Sequence, residues 1–335
     1  MKKLLVYLVS ALLAASAPLA NAVERAHVGA KSHVSVKAKA KKKAKASVRK
    51  GKRVKAKRHT KRIASETQER RLRMSQSLAQ APMQVSYGLA DSTSLQLRSA
   101  AVMVVDQNTG EALYAKNADV ATPIASITKL MTSMVVLDAG LALAEEIVIG
   151  AEDVDRLKGS SSRLALGTTL NREELLHLAL IASENRAAAA LSRAYPGGRE
   201  AFVQAMNRKA AVLGMSHTWF VDGTGLDSGN RSTAADLVKL VEAASGYPMI
   251  RQITSTGKYG VTMPGRQVVR IREHGKVRRV SREVMRQVAF NNTNALTRSP
   301  GWDIGISKTG FINEAGHCLV MQAKIADRPV IMVLL

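Results

Sequence analysis

The sequence has few of the side chains that bind metals or cross-link a chain. Cys318 is the only cysteine among 335 residues, which excludes an intrachain disulfide and a metal site built from several thiolates. None of the seven histidines lies four residues from another, the spacing that places two imidazoles on one helix face for zinc. We therefore expect neither a metal nor another cofactor. His177 lies among leucines and is expected to pack in the interior.

Long uncharged runs are also rare. The one apolar run of more than 18 residues extends from Leu4 to Val23, follows two lysines, and contains Ala20-Asn21-Ala22 near its end. A positive start, an apolar run and small residues two apart are typical of a secretory signal, so residues 1–22 are predicted to direct export and to be removed. A retained membrane anchor is the alternative, because 20 uncharged residues just suffice to span a bilayer.

Acidic residues are missing from the next segment. Residues 25–62 contain 17 lysines and arginines and no aspartate or glutamate. Like charges with few large apolar side chains do not offset the entropy lost on ordering, so residues 23–65 are predicted to form a disordered basic arm. Residues 66–98 are predicted to be a linker and residues 99–335 a folded domain. Residues 63–335 carry a net charge of +6, against +24 for the whole chain.

The arm has the charge of a tail that binds polyanions. Export makes nucleic acid an unexpected physiological partner, whereas anionic polymers of the cell envelope and membrane head groups offer the same electrostatic attraction. A solvated tether without a specific partner is the alternative.

Apolar periodicity places strands at both ends of the folded domain and helices between them. Strands are predicted over residues 100–106, 112–115, 304–307, 318–325 and 330–335, with a last turn at Asp327-Arg328-Pro329. Helices are predicted over residues 126–137, 171–194 with an interruption at 183–185, 200–213 and 234–245. This order predicts an α/β sandwich in which both chain ends form one antiparallel sheet and a helical subdomain is inserted.

Three Ser-x-x-Lys matches offer a candidate nucleophile and base: Ser47 with Lys50, Ser126 with Lys129, and Ser255 with Lys258. The first lies in the basic arm, and the third lies outside the predicted helices. Ser126 and Lys129 alone open an apolar helix, where residues three apart share a face. A lysine activates a serine hydroxyl only when its own pKa is depressed, which burial and a second cation can bring about.

Two further motifs would complete such a site. Asn171 and Glu174 have the spacing of a capping box and open the helix predicted over residues 171–194. Ser183 and Asn185 form a Ser-x-Asn motif later in that segment, and Lys308 begins Lys308-Thr-Gly on a predicted edge strand. Lys308 is the candidate second cation. A second Ser-x-Asn match, Ser228-Gly229-Asn230, lies in a glycine-rich loop, and we prefer Ser183.

The three motifs occur in the order found in serine enzymes that react with penicillin. Together with Ser232-Thr-Ala-Ala-Asp236-Leu and Lys308-Thr-Gly-Phe-Ile-Asn-Glu-Ala-Gly-His-Cys318, they resemble the low-molecular-mass penicillin-binding proteins, which are D-alanyl-D-alanine carboxypeptidases and endopeptidases. The resemblance covers residues 99–335 and implies the β-lactamase/transpeptidase-like sandwich. It implies a periplasmic serine hydrolase that acts on the D-Ala-containing peptides of peptidoglycan and is acylated by β-lactams.

The resemblance also implies residue roles. Ser126 would attack the D-alanyl carbonyl carbon with Lys129 as base, while Ser183 and Asn185 would pass the proton onward.

The substrate-binding residues would be Lys308, Thr309, Gly310 and Phe311. Lys308 and Thr309 would bind a substrate carboxylate. The backbone N–H groups of Ser126 and Phe311 would form the oxyanion hole.

Two features depart from the family pattern. The stretch from Gly257 to Phe290 is longer and more basic than expected, and predicts an inserted hairpin that turns at His274-Gly275. Its basic residues are Arg266, Arg270, Arg272, Lys276, Arg278, Arg279, Arg282 and Arg286. In addition, the family usually continues with a helix beyond the last apolar strand, so we expect either a truncated chain or a last strand exposed on one side.

Two other functions remain as alternatives. A β-lactamase shares the motifs but needs an efficient deacylating carboxylate, for which Asp227-x-x-Asn230 is the one similar pattern. An inactive envelope-binding protein would use the arm alone. Among the peptidases, the resemblance favours an endopeptidase over a carboxypeptidase.

Overall fold

The computed structural model describes residues 97–273 and 276–335, with the backbone alone at residues 273 and 276. The predicted signal, the basic arm and most of the predicted linker lie outside the described residues. The helices are α1 (Thr128–Asp138), α2 (Arg172–Ile181), α3 (Asn185–Arg193), α4 (Gly198–Val212), α5 (Ala234–Ser245) and α6 (Pro248–Ser255). The strands are β1 (Val102–Asp106), β2 (Ala112–Lys116), β3 (Thr122–Pro123), β4 (Glu146–Val148), β5 (Thr169–Asn171), β6 (Arg231–Ser232), β7 (Lys258–Glu273), β8 (Lys276–Asn291), β9 (Asp303–Ile312), β10 (Gly316–Ile325) and β11 (Arg328–Leu334).

A five-stranded antiparallel sheet joins the two ends of the described chain. Its strand order is β2-β1-β11-β10-β9, and β1 pairs with β11 from Val102 opposite Leu334 to Asp106 opposite Val330. Helices lie between the strands of the two ends in sequence. The predicted fold class, an α/β sandwich with a sheet formed from both chain ends, is confirmed.

Both faces of the sheet are buried, because apolar residues occupy both alternating sets along its central strands. Met103 and Val105 pack in the large cluster that the helices share, whereas Val102 and Val104 belong to a second cluster on the opposite face. The last strand, β11, is buried on both faces, since Val330, Met332 and Leu334 belong to that second cluster. The side that the sequence led us to expect as exposed is therefore covered.

Helix α1 lies at the centre of the helical layer. Every residue from Thr128 to Val136 is buried, polar side chains included. Helix α2 begins with the predicted capping box, in which Asn171 Oδ1 accepts from the Glu174 N–H and Glu174 Oε2 accepts from the Asn171 N–H. The predicted interruption at residues 183–185 is the bend between α2 and α3.

Two local predictions were wrong. Helix α6 was not predicted from the sequence. Ser255 is the last residue of this helix and Lys258 is the first residue of β7, so the two residues of this Ser-x-x-Lys match do not lie on one helix. The last turn lies one residue earlier than predicted, at Ala326 and Asp327, whose φ angles are 48° and 64°. Arg328 and Pro329 already belong to β11.

The predicted basic hairpin is the two-stranded ribbon β7–β8. Its register runs from Lys258 opposite Asn291 to Glu273 opposite Lys276, and the predicted turn at His274-Gly275 lies outside the described residues. At its base, Tyr259 stacks on His177 with 4.0 Å between ring centroids, and His177 is buried as expected. Burial lowers the pKa of this histidine.

Within residues 97–273 and 276–335, none of the helices combines the length and apolar character needed to cross a membrane. Over the same range, no three histidine, cysteine or acidic side chains gather in an arrangement that could hold a metal ion.

Candidate active site

Ser126 lies in the tight turn that leads into helix α1. Residues Ala125–Ile127 form one 3₁₀ turn, and Ala125 has a φ of 48°, in the left-handed region that a non-glycine residue seldom adopts. Thr128 Oγ1 donates a 2.8 Å hydrogen bond to the Ala125 carbonyl oxygen, which holds the turn. Strained backbone of this kind concentrates at functional sites.

The Lys129 amine is held against the Ser126 hydroxyl. Lys129 Nζ lies 2.7 Å from Ser126 Oγ and 2.8 Å from Asn185 Oδ1. Its third partner is the carbonyl oxygen of Thr224, at 2.6 Å. The Lys129 side chain is fully buried. The structure therefore places the predicted nucleophile and base in direct contact.

The protonation of Lys129 suits the role of a general base. Burial lowers its pKa from the ordinary value of 10.5 to about 7, because the charged amine is poorly solvated, while the charges of Asp222 and Glu184 oppose this shift. At neutral pH a substantial fraction of the amine is neutral. A neutral amine has a lone pair that can accept the Ser126 proton.

Ser183 and Lys308 form a second pair. Ser183 occupies the bend between α2 and α3 with a φ of 57°, and its Oγ accepts a 2.9 Å hydrogen bond from Lys308 Nζ. The Lys308 amine also donates to the Thr309 carbonyl oxygen at 2.7 Å. Burial holds the Lys308 pKa well below its ordinary value, and the nearby positive charge of Lys129 lowers it further. Over the described residues, the Ser183 hydroxyl contacts Lys308 and makes no hydrogen bond to Ser126 or Lys129.

Asn185 connects the base to a loop that the sequence analysis did not single out. While its Oδ1 accepts from Lys129, its Nδ2 donates to Ser160 Oγ at 2.9 Å. Glu184, between the two predicted residues, is buried and accepts from Ser162 Oγ and from the Arg163 N–H. The segment 160–163 thus fixes both Asn185 and the carboxylate whose charge acts on Lys129. A loop rich in serine gives no sequence signal for this role.

The loop 222–230 supplies the carbonyl that binds Lys129. Asp222 Oδ1 accepts from the backbone N–H groups of Thr224 and Gly225, both at 2.6 Å, and its Oδ2 accepts from the Asp227 N–H. Asn230 is fully buried, and its Nδ2 donates to Thr128 Oγ1 at 3.0 Å, which ties the loop to α1. The second Ser-x-Asn match thus supplies a structural asparagine. The glycine-rich pattern from Asp222 to Asp227 predicts a tight loop but not its carbonyl ligand.

Two glycines allow backbone segments to approach Ser126. A Cβ at Gly225, whose φ is 81°, would lie 1.9 Å from the Ala125 carbonyl oxygen. A Cβ at Gly310 on β9 would lie 3.1 Å from the Ser126 nitrogen. The backbone of the predicted Lys308-Thr309-Gly310 strand therefore runs directly beside the nucleophile turn. This adjacency suits the expected oxyanion hole of the Ser126 and Phe311 N–H groups.

The remaining predicted residues line the edge strand beside Ser126. Thr309 Oγ1 donates to Thr293 Oγ1 at 2.6 Å, which connects β9 to the end of the ribbon. Phe311 is 55% exposed, and its ring contacts that of His317 with 4.6 Å between centroids. An exposed aromatic ring one residue beyond the Lys-Thr-Gly sequence is available to contact substrate.

Comparison with known proteins agrees with this geometry. A family model described as D-alanyl-D-alanine carboxypeptidase matches residues 89–335. The chain belongs to this family of peptidases, S11. It is a low-molecular-mass penicillin-binding protein and a serine peptidase.

Relatives and solved structures support the assignment. The chain is 45% identical over 240 residues to a D-alanyl-D-alanine endopeptidase of Pseudomonas aeruginosa, covering 72% of each chain. It is 42% identical over 257 residues to one of Escherichia coli, covering 76% of this chain and 77% of that protein. The DD-transpeptidase of Streptomyces K15 matches its structure with a TM-score of 0.60 and 27% identity, over 71% of this chain and 90% of that one.

The pH profile of acylation tests the role of Asp222. Acylation of Ser126 by benzylpenicillin requires neutral Lys129, so the rate constant should rise with pH, with a midpoint at about 7. Because the Asp222 charge raises the Lys129 pKa, Asp222→Asn should move this midpoint to lower pH. The measurement is the second-order acylation rate constant across the pH range.

Asp227→Asn is the matched control. Asp227 lies in the same loop and accepts from the Gly229 N–H, but the charges that raise the Lys129 pKa belong to Asp222 and Glu184. Its midpoint should equal that of the wild type. A midpoint that stays in place in Asp222→Asn, or that moves equally in both variants, contradicts this role.

Proposed function

We propose that this serine peptidase is a D-alanyl-D-alanine endopeptidase that cleaves D-Ala peptide bonds in peptidoglycan cross-links. The observation that carries the chemistry is the 2.7 Å contact between Ser126 Oγ and the buried Lys129 amine. The substrate follows from two relatives named D-alanyl-D-alanine endopeptidase, at 45% and 42% identity over about three quarters of this chain.

Acylation begins with proton transfer from Ser126 Oγ to Lys129 Nζ. The oxygen attacks the D-alanyl carbonyl carbon, a C–O bond forms, and the carbonyl π electrons move onto oxygen. Backbone N–H groups of Ser126 and Phe311 would stabilise this oxyanion, an interaction whose loss typically raises the barrier by about 3–4 kcal/mol. The Asn185 amide and the Thr224 carbonyl keep Lys129 aligned during transfer.

The C–N bond then breaks, and the leaving amine takes a proton. Lys129 holds the proton removed from Ser126. The Ser183 hydroxyl binds Lys308 and not Lys129 in this structure, and it would relay the proton to the leaving amine once bound substrate bridges the two. Water attacks the acyl-enzyme, with Lys129 again accepting a proton, which releases the carboxylic acid and restores Ser126. A β-lactam follows the first step, but its opened ring keeps the leaving nitrogen attached, so the acyl-enzyme persists.

Substrate recognition depends on β9. Lys308 and Thr309 present an amine and a hydroxyl beside the nucleophile, and would bind a substrate carboxylate. Gly310 lets the substrate-facing strand lie close to Ser126.

A D-alanyl-D-alanine carboxypeptidase is the second candidate. The family model carries that description, and a Bacillus subtilis relative with that activity in its name is 31% identical over 227 residues. The two activities share the acyl-enzyme and differ in the amine that leaves, which is a cross-linked side-chain amine or a terminal D-alanine.

Purified cross-linked muropeptide dimers separate these candidates. The protein should convert dimers to monomers, and Ser126→Ala should abolish conversion because no other hydroxyl lies in bonding contact with Lys129 in the described part of the chain. Liquid chromatography with mass spectrometry of the products is the measurement.

Ser255→Ala supplies the matched control, since Ser255 belongs to another Ser-x-x-Lys match and caps the end of α6 through the Arg251 carbonyl. It should retain full conversion. Release of D-alanine from pentapeptide monomers with intact dimers would instead identify a carboxypeptidase, and rapid turnover of benzylpenicillin would identify a β-lactamase.

We further propose that residues 1–22 direct the chain to the periplasm and that the basic arm binds anionic polymers of the envelope. The apolar run with Ala20-Asn21-Ala22 supports export, and the 17 basic residues within 25–62 support polyanion binding. A mature protein beginning at Val23 is the observation that checks export.

Deletion of residues 25–62 tests the arm. The shortened protein should bind isolated sacculi more weakly at low ionic strength, because the arm's lysines and arginines favour binding by releasing counterions from the anionic polymer. Its labelling by penicillin should be unchanged. Sacculus co-sedimentation at two salt concentrations is the measurement. Equal binding to sacculi with and without the arm would contradict this proposal and would mean that the arm is a solvated tether without a specific partner.

A further inference from the structure

The ribbon β7–β8 has a buried base and an exposed outer part. At the base, Val261, Met263 and Phe290 are buried in the core on one side of the ribbon. Beyond Met263 the two strands pair only with each other, in a sheet of two strands. From residue 264 to residue 273 the outer part extends about 30 Å.

The outer part carries the entire net charge of residues 63–335. Residues 264–286 contain seven arginines, one lysine and two glutamates, a net charge of +6. The other residues between 63 and 335 sum to zero. The basic character of this part of the chain therefore belongs to one projecting ribbon.

One face of the ribbon, which we call the outer face, is exposed along its whole length. The register places these side chains on it: Arg266, Val268, Arg270 and Arg272 from β7, and Val277, Arg279, Ser281, Glu283 and Met285 from β8. All are exposed. Three are large apolar residues: Val268 and Val277 are each 63% exposed and Met285 is 65% exposed.

The combination of arginines and large apolar side chains on the outer face indicates what kind of partner binds there. Arginine binds phosphate oxygens with two parallel N–H bonds and suits phosphate groups better than lysine does. A soluble polyanion would use the arginines but gain nothing from Val268, Val277 and Met285. The interface of an anionic bilayer accepts both, since head-group phosphates pair with arginine and apolar side chains enter the acyl boundary.

We propose that the outer face of the β7–β8 ribbon docks on an anionic phospholipid surface. Strand β8 continues into Thr293, whose hydroxyl bonds Thr309 of the active site. The base of the ribbon is therefore connected to the wall of the active site, and docking of the outer face holds the active site near the membrane.

Co-sedimentation with vesicles tests the proposal. The full mature chain, and the same chain without residues 25–62 so that the arm does not mask the ribbon, are each mixed with vesicles of phosphatidylglycerol and phosphatidylcholine, or of phosphatidylcholine alone, at constant salt. Replacing three outer-face arginines, as Arg270→Gln, Arg272→Gln and Arg279→Gln, should weaken binding to the anionic vesicles by about a hundredfold, at about 1 kcal/mol for each charge near the surface.

A matched variant controls for total charge. Arg156→Gln, Arg208→Gln and Arg251→Gln remove the same charge from exposed positions outside the ribbon and should change binding by less than about twofold. The thermal unfolding midpoint of each variant confirms that it is folded. Equal loss in both variants would mean that net charge alone drives binding, which overturns the proposal.

An apolar variant separates a lipid surface from a soluble polyanion. Val268→Ser, Val277→Ser and Met285→Gln keep the charge, and should weaken vesicle binding several-fold without altering elution from a heparin column. Unchanged vesicle binding in this variant, together with lost heparin retention in the arginine variant, would identify a polyanion site and overturn the proposal. If the arginine variant and the apolar variant both bind anionic vesicles as tightly as the wild type does, the proposal is also overturned.

Discussion

The Lys129 amine is buried against three uncharged oxygens, and the chemistry of the site depends on that burial. Its partners are a hydroxyl, a side-chain amide and a backbone carbonyl, which bind the amine without the full charge of an ion pair. A pKa of about 7 in place of 10.5 corresponds to about 5 kcal/mol that disfavours the protonated form in the folded protein. This cost to folding is complete below pH 7, fades as pH rises towards 10.5, and is absent at higher pH, where the amine is neutral in both the folded and the unfolded state. The burial that destabilises the folded protein by this amount is also what keeps a neutral amine beside the Ser126 hydroxyl.

Several distant segments must meet for this burial to occur. The turn before α1 carries Ser126, and α1 itself carries Lys129. The bend before α3 carries Ser183, α3 begins with Asn185, and β9 carries Lys308. The joining of both chain ends in one sheet sets β9 beside the nucleophile turn, and Gly310 permits the close approach. Two buried amines in one site repel each other, which favours the neutral form of at least one. Here the charge of Lys129 lowers the pKa of Lys308, whereas burial is what lowers the pKa of Lys129. Lys308 therefore does not act as the second cation that the sequence suggested for lowering the Lys129 pKa, and its amine binds the Ser183 hydroxyl instead.

The motif residues were predictable from sequence because their side chains perform the chemistry and their spacing matches local structure. Ser126 and Lys129 share a helix face, and Asn171 with Glu174 marks where α2 begins. The roles of Thr224 and Ser160 were not predictable, because a backbone carbonyl has no residue signature and a serine in a loop is common. Helix α6 was missed because its eight residues make only about two turns, which is too short for a period to stand out in the sequence. The two decoy motifs show the limit of patterns alone: Asn230 holds a loop, and Ser255 ends a helix.

The titration of the Lys129 side chain tests the central claim most directly. Lysine labelled with ¹⁵N and ¹³C would give a side-chain signal for this residue, assigned by its disappearance in Lys129→Arg, and the signal would be followed across the pH range. The account predicts a midpoint at about 7. A midpoint near the ordinary value of 10.5 would leave Ser126 without a base at neutral pH and would contradict it.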